Sequence, residues 1–196
     1  AASDVYKRQQ LPSGRRSAFK SERKVKNLVL IGMMGAAKST TGKLIAKKLN
    51  RPFFDGDDVY VSLYKEKISD TFDKYGESEF RRRETEVAKI LGALDGAVIA
   101  CGGGVVLSEE NMIALKSNGI IALLHAAPEA IYARVSRNDN RPLLRDGGLE
   151  KIKSIMAERG PLYEKYADFS VDNSYMGIAK CADRVIALYN RIAVKK

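Results

Sequence analysis

The run Gly32-Met33-Met34-Gly35-Ala36-Ala37-Lys38-Ser39 nearly fits the phosphate-loop pattern G-x-x-x-x-G-K-[ST]. Such a loop needs small residues, because successive backbone N–H groups must turn toward a phosphate that no side chain may shield. A helix starting at the loop adds the positive end of its dipole to the same anion. Lys38 is then placed to reach the β- and γ-phosphates of a nucleotide, and Ser39 to offer an oxygen to Mg²⁺. Gly35, Ala36, Ala37 and Thr40 complete the segment expected against ATP. Ala37 is a departure, standing where the pattern has glycine. In helical φ/ψ its methyl group is harmless, whereas at positive φ it strains the loop. Two further groupings carry chemical potential. Asp55 and Asp57 lie two apart and share a face if a strand persists through both. Gly102-Gly103-Gly104 loses chain entropy on folding, which suggests close approach of a ligand rather than a plain turn.

Regular elements must position these groups. Leu28–Ile31 is a short, wholly apolar run, as in a central parallel strand. The spacing predicts a helix over Ser39–Leu49, with Leu44, Ile45 and Leu49 on one face. Phe53–Asp55, Ala97–Ala100, Ile120–Leu124 and Asp168–Val171 read as further strands. Helices are expected over Asp58–Tyr64, Ile68–Tyr75, Glu77–Leu94, Ser108–Ser117 (capped by Ser108), Pro128–Ser136, Leu149–Tyr166 with a break at Gly160-Pro161, and Met176–Ile192. The alternation predicts an α/β fold in three layers, a five-stranded parallel sheet with helices on both faces and ligands beyond the strands' carboxyl ends. Residues 137–148 are polar and glycine-containing, the composition of a mobile loop.

The 196 residues suffice for one domain, assigned to 27–196. No apolar run approaches the ~18–20 residues of a membrane span. Cys101 and Cys181 form no C-x-x-C pair, so no zinc or redox motif is suggested, and a reducing cytoplasm is the expected setting. The net charge of +10 raises the possibility of a nucleic-acid partner. Residues 1–26, however, hold eight Lys/Arg against two acidic residues, so most of the excess sits in a segment without periodicity. That segment reads as disordered, a sequence artefact or linker, and no nucleic-acid or membrane partner is expected. A monomer is expected, since no heptad or exposed apolar stripe stands out.

Several motifs, in order, resemble the shikimate kinase family over essentially residues 27–193. They are the loop Ile31–Gly42, Phe54-Asp55-Gly56-Asp57, Gly76–Glu84, Gly102–Gly104, Arg141-Pro142-Leu143-Leu144 and Arg159-Gly160-Pro161-Leu162-Tyr163. The resemblance implies a P-loop kinase fold with ATP and Mg²⁺, phosphorylating the 3-hydroxyl of shikimate in aromatic amino-acid biosynthesis. It implies that Arg81 and Arg159 meet the substrate carboxylate, a task suited to the guanidinium fork. It places Asp57 on the substrate hydroxyls, Asp55 near Mg²⁺ through water, and Glu84 beside Arg81 or the substrate. Gly102, Gly103 and Gly104 would line the shikimate site, with Gly103 as a backbone donor. The segment 137–148 would be a lid from which Arg141 crosses onto the transferring phosphoryl, and Arg134 would lie against adenine. The loop Asp172–Met176 falls where the family has other adenine contacts, yet offers no candidate residue. Two readings compete: a P-loop kinase for another small molecule, such as gluconate or a nucleoside monophosphate, and a nucleotide-binding protein whose turnover Ala37 impairs. The joint presence of Arg81, the three glycines and Arg159 favours a carboxylate-bearing polyol.

Overall fold

The computed structural model describes residues 25–136 and 148–194. Arg141 and the expected lid, Gly148 excepted, lie outside the described residues, as does the basic segment up to residue 24. Val25 and Lys26, assigned from sequence to that segment, are tied to the domain. The Val25 carbonyl accepts from Gly96 N–H at 2.7 Å, and the Lys26 carbonyl from the Tyr189 hydroxyl at 2.5 Å.

Five strands form among the described residues: β1 (Asn27–Ile31), β2 (Phe53–Asp55), β3 (Val98–Ala100), β4 (Gly119–His125) and β5 (Phe169–Asp172). They make one parallel sheet in the order β2-β3-β1-β4-β5. The helices are α1 (Lys38–Leu49), α2 (Gly56–Tyr64), α3 (Ile68–Gly92), α4 (Glu109–Ser117), α5 (Pro128–Val135), α6 (Gly148–Tyr166) and α7 (Ile178–Ala193). Alternation along the buried strands sends side chains to two cores. Leu28 and Leu30 face Ile45 and Ala46 of α1 and Val185 and Tyr189 of α7. Val29, Ile31 and Ile99 face Tyr60, Phe80, Leu91, Met112 and Tyr163 from α2, α3, α4 and α6.

The crossover after β1 therefore runs over one face and the crossover after β3 over the other. The carboxyl ends of these neighbouring strands diverge into a crevice, the place where such sheets bind ligands. The phosphate loop leaves β1 there and the three glycines leave β3.

Sequence and structure differ at particular points. The separation expected at Gly76 is present as a kink within α3, with φ 78° and ψ 178° at that residue. The break expected at Gly160-Pro161 is absent: α6 runs through it with Pro161 inside. A proline there removes one helical hydrogen bond, and packing of the flanking Leu162 and Tyr163 against the core keeps the helix going. The helix expected from Asp58 starts two residues earlier, at Gly56, and its cap is Asp55, whose carboxylate accepts from the Asp57 N–H at 3.1 Å. Val105–Leu107 forms a 3-10 turn that the sequence pattern does not announce.

Candidate active site

The phosphate loop is wedged against its neighbours. A side chain at Gly32 (φ 136°) would collide with the Leu124 carbonyl, and one at Gly35 (φ 76°) would come within 2.7 Å of Val135. Lys38 is largely buried and donates from Nζ to the Gly32 and Met33 carbonyls at 2.8 and 2.9 Å. Its charge is thus held within the curl of the loop. Ser39 Oγ donates to Asp55 Oδ2 at 2.5 Å, so the two residues expected at the metal are in contact. A hydroxyl and a carboxylate are hard oxygen donors, and a magnesium site completed by waters and phosphate oxygens needs few protein ligands. The donor set fits Mg²⁺. Thr40 is exposed on the first turn of α1.

Ala37 has φ 60° and ψ 29°. The question left open by the sequence is thereby decided: the backbone is left-handed, and alanine costs roughly 1–2 kcal/mol there. Ala37→Gly is expected to stabilise the fold by about 0.5–1 kcal/mol, since glycine's greater freedom in the unfolded chain offsets part of the relief. Mg·ADP affinity should stay equal or tighten. Urea unfolding and calorimetric titration check both, and weaker binding by the glycine variant would count against strain at this residue.

The acceptor side is built on the three glycines. β2 ends at Asp55, so the two aspartates do not share a strand face; Asp57 lies in the first turn of α2. A Cβ at Gly102 would sit 3.1 Å from Asp57 Oδ1 and 3.7 Å from Glu84 Oε1, and one at Gly104 would collide with the Arg81 guanidinium. The glycines are a floor beneath these side chains. Arg81 Nη1 donates to Glu84 Oε2 at 2.9 Å, while Nε and Nη2 reach Glu77 Oε1 at 3.2 and 3.0 Å. Burial raises the Glu84 carboxyl above its ordinary range against the lowering effect of Arg81, and the Asp57 charge adds to the rise.

From α6, Arg159 Nη1 donates to the Gly103 carbonyl at 3.4 Å, and the Tyr163 hydroxyl donates to the same oxygen. Gly103 thus engages α6 through its carbonyl, as an acceptor. Arg159 Nε is buried without a hydrogen-bond partner, a Glu158 oxygen lying 3.8 Å away. A buried donor left in this state is suited to an incoming carboxylate. Burial pushes the Tyr163 phenol up to about 12, so it stays a neutral donor near pH 7. Tyr163, which closes the Arg159–Tyr163 motif, thus both packs in the core and donates to the glycine turn. Cys101 is buried beside the glycines, and burial raises its thiol well above the ordinary range, which keeps it protonated.

At the nucleotide end, Arg134 Nη1 donates to the Gly35 carbonyl at 3.3 Å and to Asn173 Oδ1 at 3.1 Å. Its Nη2 donates to the carbonyls of Asn173 and Ser174 at 2.5 and 3.0 Å. Asn173 Nδ2 in turn donates to the Ala36 carbonyl at 2.7 Å. Asn173 was missed from sequence. Its one signal was an amide in the loop after the last strand, where nucleotide contacts were expected.

A parallel sheet with this strand order, a lysine-bearing phosphate loop after its central strand and two arginines held against the glycine turn beside it define a P-loop small-molecule kinase. The family model described as shikimate kinase matches residues 34–190. The chain is 44% identical over 170 residues to a shikimate kinase of Thermodesulfovibrio yellowstonii, covering 86% of this chain and 98% of that one. It is 40% identical over 169 residues to the shikimate kinase of Thermoanaerobacter pseudethanolicus, covering 86% and 98%. The structure of Acinetobacter baumannii shikimate kinase in complex with shikimate superposes with a TM-score of 0.78 at 33% identity, covering 88% of this chain and 95% of that one. The chain belongs to the shikimate kinase family, the enzymes that transfer phosphate from ATP to shikimate.

Proposed function

We propose that the enzyme passes the γ-phosphoryl group of ATP to the 3-hydroxyl of shikimate with the residues that converge on Gly102–Gly104 and the phosphate loop. The observation that carries this reading is the grouping of Arg81, Glu84, Asp57 and Arg159 around that floor, across the crevice from Lys38. Arg81 and Arg159 supply two fixed cations for one carboxylate, and Glu84 keeps the Arg81 fork turned toward it. Asp57 orients the attacking hydroxyl. With a loose transition state, positioning matters more here than full proton removal. Lys38 moves from the loop carbonyls to the β- and γ-phosphates, and the N-terminus of α1 faces the same charge. Ser39, with Asp55 through water, would hold Mg²⁺, which supplies neutralisation of the phosphate charge. The guanidinium of Arg134, held by backbone carbonyls and the Asn173 side chain, offers adenine a planar face.

Arg141 crosses onto the transferring group in this reading. Arg141→Ala should lower kcat about 10²–10³-fold while the KM for shikimate moves less than about threefold, as expected of a contact made mainly in the transition state. A change confined to KM would remove Arg141 from that role.

The enzyme is further proposed to act as a cytoplasmic monomer without a nucleic-acid partner. No described helix is long and apolar enough to cross a membrane. Light scattering on the full chain tests the monomer. ADP release from Mg·ATP with and without shikimate tests the activity. Shikimate-dependent turnover at ~1–10³ s⁻¹ is expected; turnover with gluconate but not shikimate would overturn the acceptor assignment.

A further inference from the structure

Asn173 is 1% exposed and lies in the loop between β5 and α7, remote in sequence from the phosphate loop. Its backbone is fixed on its own account: the N–H donates to the His125 carbonyl at 2.9 Å, and the carbonyl accepts from Arg134 and from the Met176 N–H. Its side chain is therefore presented from a rigid base. Oδ1 accepts from Arg134 Nη1 at 3.1 Å and Nδ2 donates to the Ala36 carbonyl at 2.7 Å. Arg134 takes the preceding carbonyl, that of Gly35, at 3.3 Å. Two consecutive loop carbonyls are thus drawn toward one pair, buried Asn173 and half-buried Arg134.

The second of these carbonyls belongs to the peptide that joins Ala36 to Ala37. In a planar trans peptide the C=O and N–H point in opposite directions. With the Ala36 oxygen held toward buried Asn173, the Ala37 N–H must face the other way, outward from the loop. A rotation of this peptide would change ψ of Ala36 and φ of Ala37 together. From φ 60°, a flip carries Ala37 into the negative-φ region that alanine prefers. The motion that relieves Ala37 is consequently the same motion that withdraws the Ala36 oxygen from Asn173 and turns an N–H away from the phosphate side.

We propose that Asn173 is a positioning residue for the nucleotide phosphates: it locks the Ala36–Ala37 peptide in its binding orientation and so permits alanine where the backbone is left-handed. This rests on reading Gly32–Ser39 as the phosphate site. Without the amide, an alanine loop has a reason to flip that a glycine loop lacks.

A double-mutant cycle between positions 173 and 37 tests the proposal. Asn173→Ala removes both side-chain bonds. Asn173→Asp keeps an acceptor for Arg134 but has no donor for the Ala36 carbonyl. Each is expected to weaken Mg·ADP binding about tenfold by calorimetry and to raise the KM for ATP alike, with kcat and shikimate affinity within about twofold. Adding Ala37→Gly to Asn173→Ala should recover affinity to within about threefold of the parent chain. In urea unfolding without ligand, Ala37→Gly should raise the folding constant about three- to fivefold in the parent background, and less than about 1.5-fold beside Asn173→Ala, where the strain is already released. An equal effect of Ala37→Gly in both backgrounds overturns the proposal, as does parental Mg·ADP affinity in Asn173→Asp. Failure of the parent chain to bind Mg·ADP overturns the nucleotide reading and the positioning role with it, whereas the urea cycle alone reports whether the two residues are coupled.

Discussion

Replacing Lys38 by methionine should lower kcat/KM at least about 10³-fold while leaving a folded protein. Methionine matches the length of the lysine stem, so packing in the loop is largely kept, but it brings no charge to the phosphates. Removing one preorganised donor to developing charge costs about 10²–10³ in rate, and loss of a full cation from a partly buried site costs more. Lys38 also ties the loop by donating to the Gly32 and Met33 carbonyls, so some loss of stability is expected, of order 1 kcal/mol for each net hydrogen bond. Steady-state kinetics and thermal melting on the same variant separate the two effects. A fall of less than tenfold in kcat/KM would reduce Lys38 to a clasp for the loop.

Arg159→Met should raise the KM for shikimate about a hundredfold and leave the KM for ATP within about twofold. The buried Nε without a partner and the Nη1 bond to Gly103 describe a guanidinium that is anchored yet unsaturated. A charge-assisted contact to a carboxylate contributes about 1.5–3 kcal/mol, which corresponds to roughly ten- to 150-fold in affinity. Arg159→Lys should recover only part of the loss, because a point charge cannot reproduce the planar fork. Shikimate saturation curves at fixed ATP decide the matter. An equal rise in both KM values would mean that Arg159 supports the crevice as a whole and does not address the acceptor.

The sequence made the centre of the sheet legible because β1, β3 and β4 are buried on both faces and read as unbroken apolar runs, with phosphate-loop chemistry immediately after the first. Most helices followed from apolar periodicity and from glycine or proline at their ends. The errors share a cause. Gly76 and Gly160 look alike in sequence, but one takes φ 78° and the other continues a helix, a choice made by distant packing. Alternation puts Asp55 and Asp57 on one face only if the strand runs through both, and the capping bond from the Asp57 N–H to Asp55 accompanies a helix that starts at Gly56 instead. Asn173 has only its place in the loop after β5 as a local signal, because its partners, Ala36 and Arg134, stand far away in the chain. Ala37 was recognised as unusual from sequence alone, yet the sign of its φ depends on the orientation of one peptide, which composition does not encode.

The strand order has an evolutionary consequence. Candidate acceptor residues Asp57 and Gly102–Gly104 follow β2 and β3, on one side of central β1, while Arg134 and Asn173 follow β4 and β5, on the other. Each half of the crevice can therefore accumulate substitutions with little disturbance to the other. A lineage could exchange its acceptor by redrafting the β2–β3 margin, with help from α3 and α6, and inherit the nucleotide half intact. Conversely, an unusual phosphate-loop residue such as Ala37 can be accommodated from the β5 margin without renegotiating what the enzyme phosphorylates.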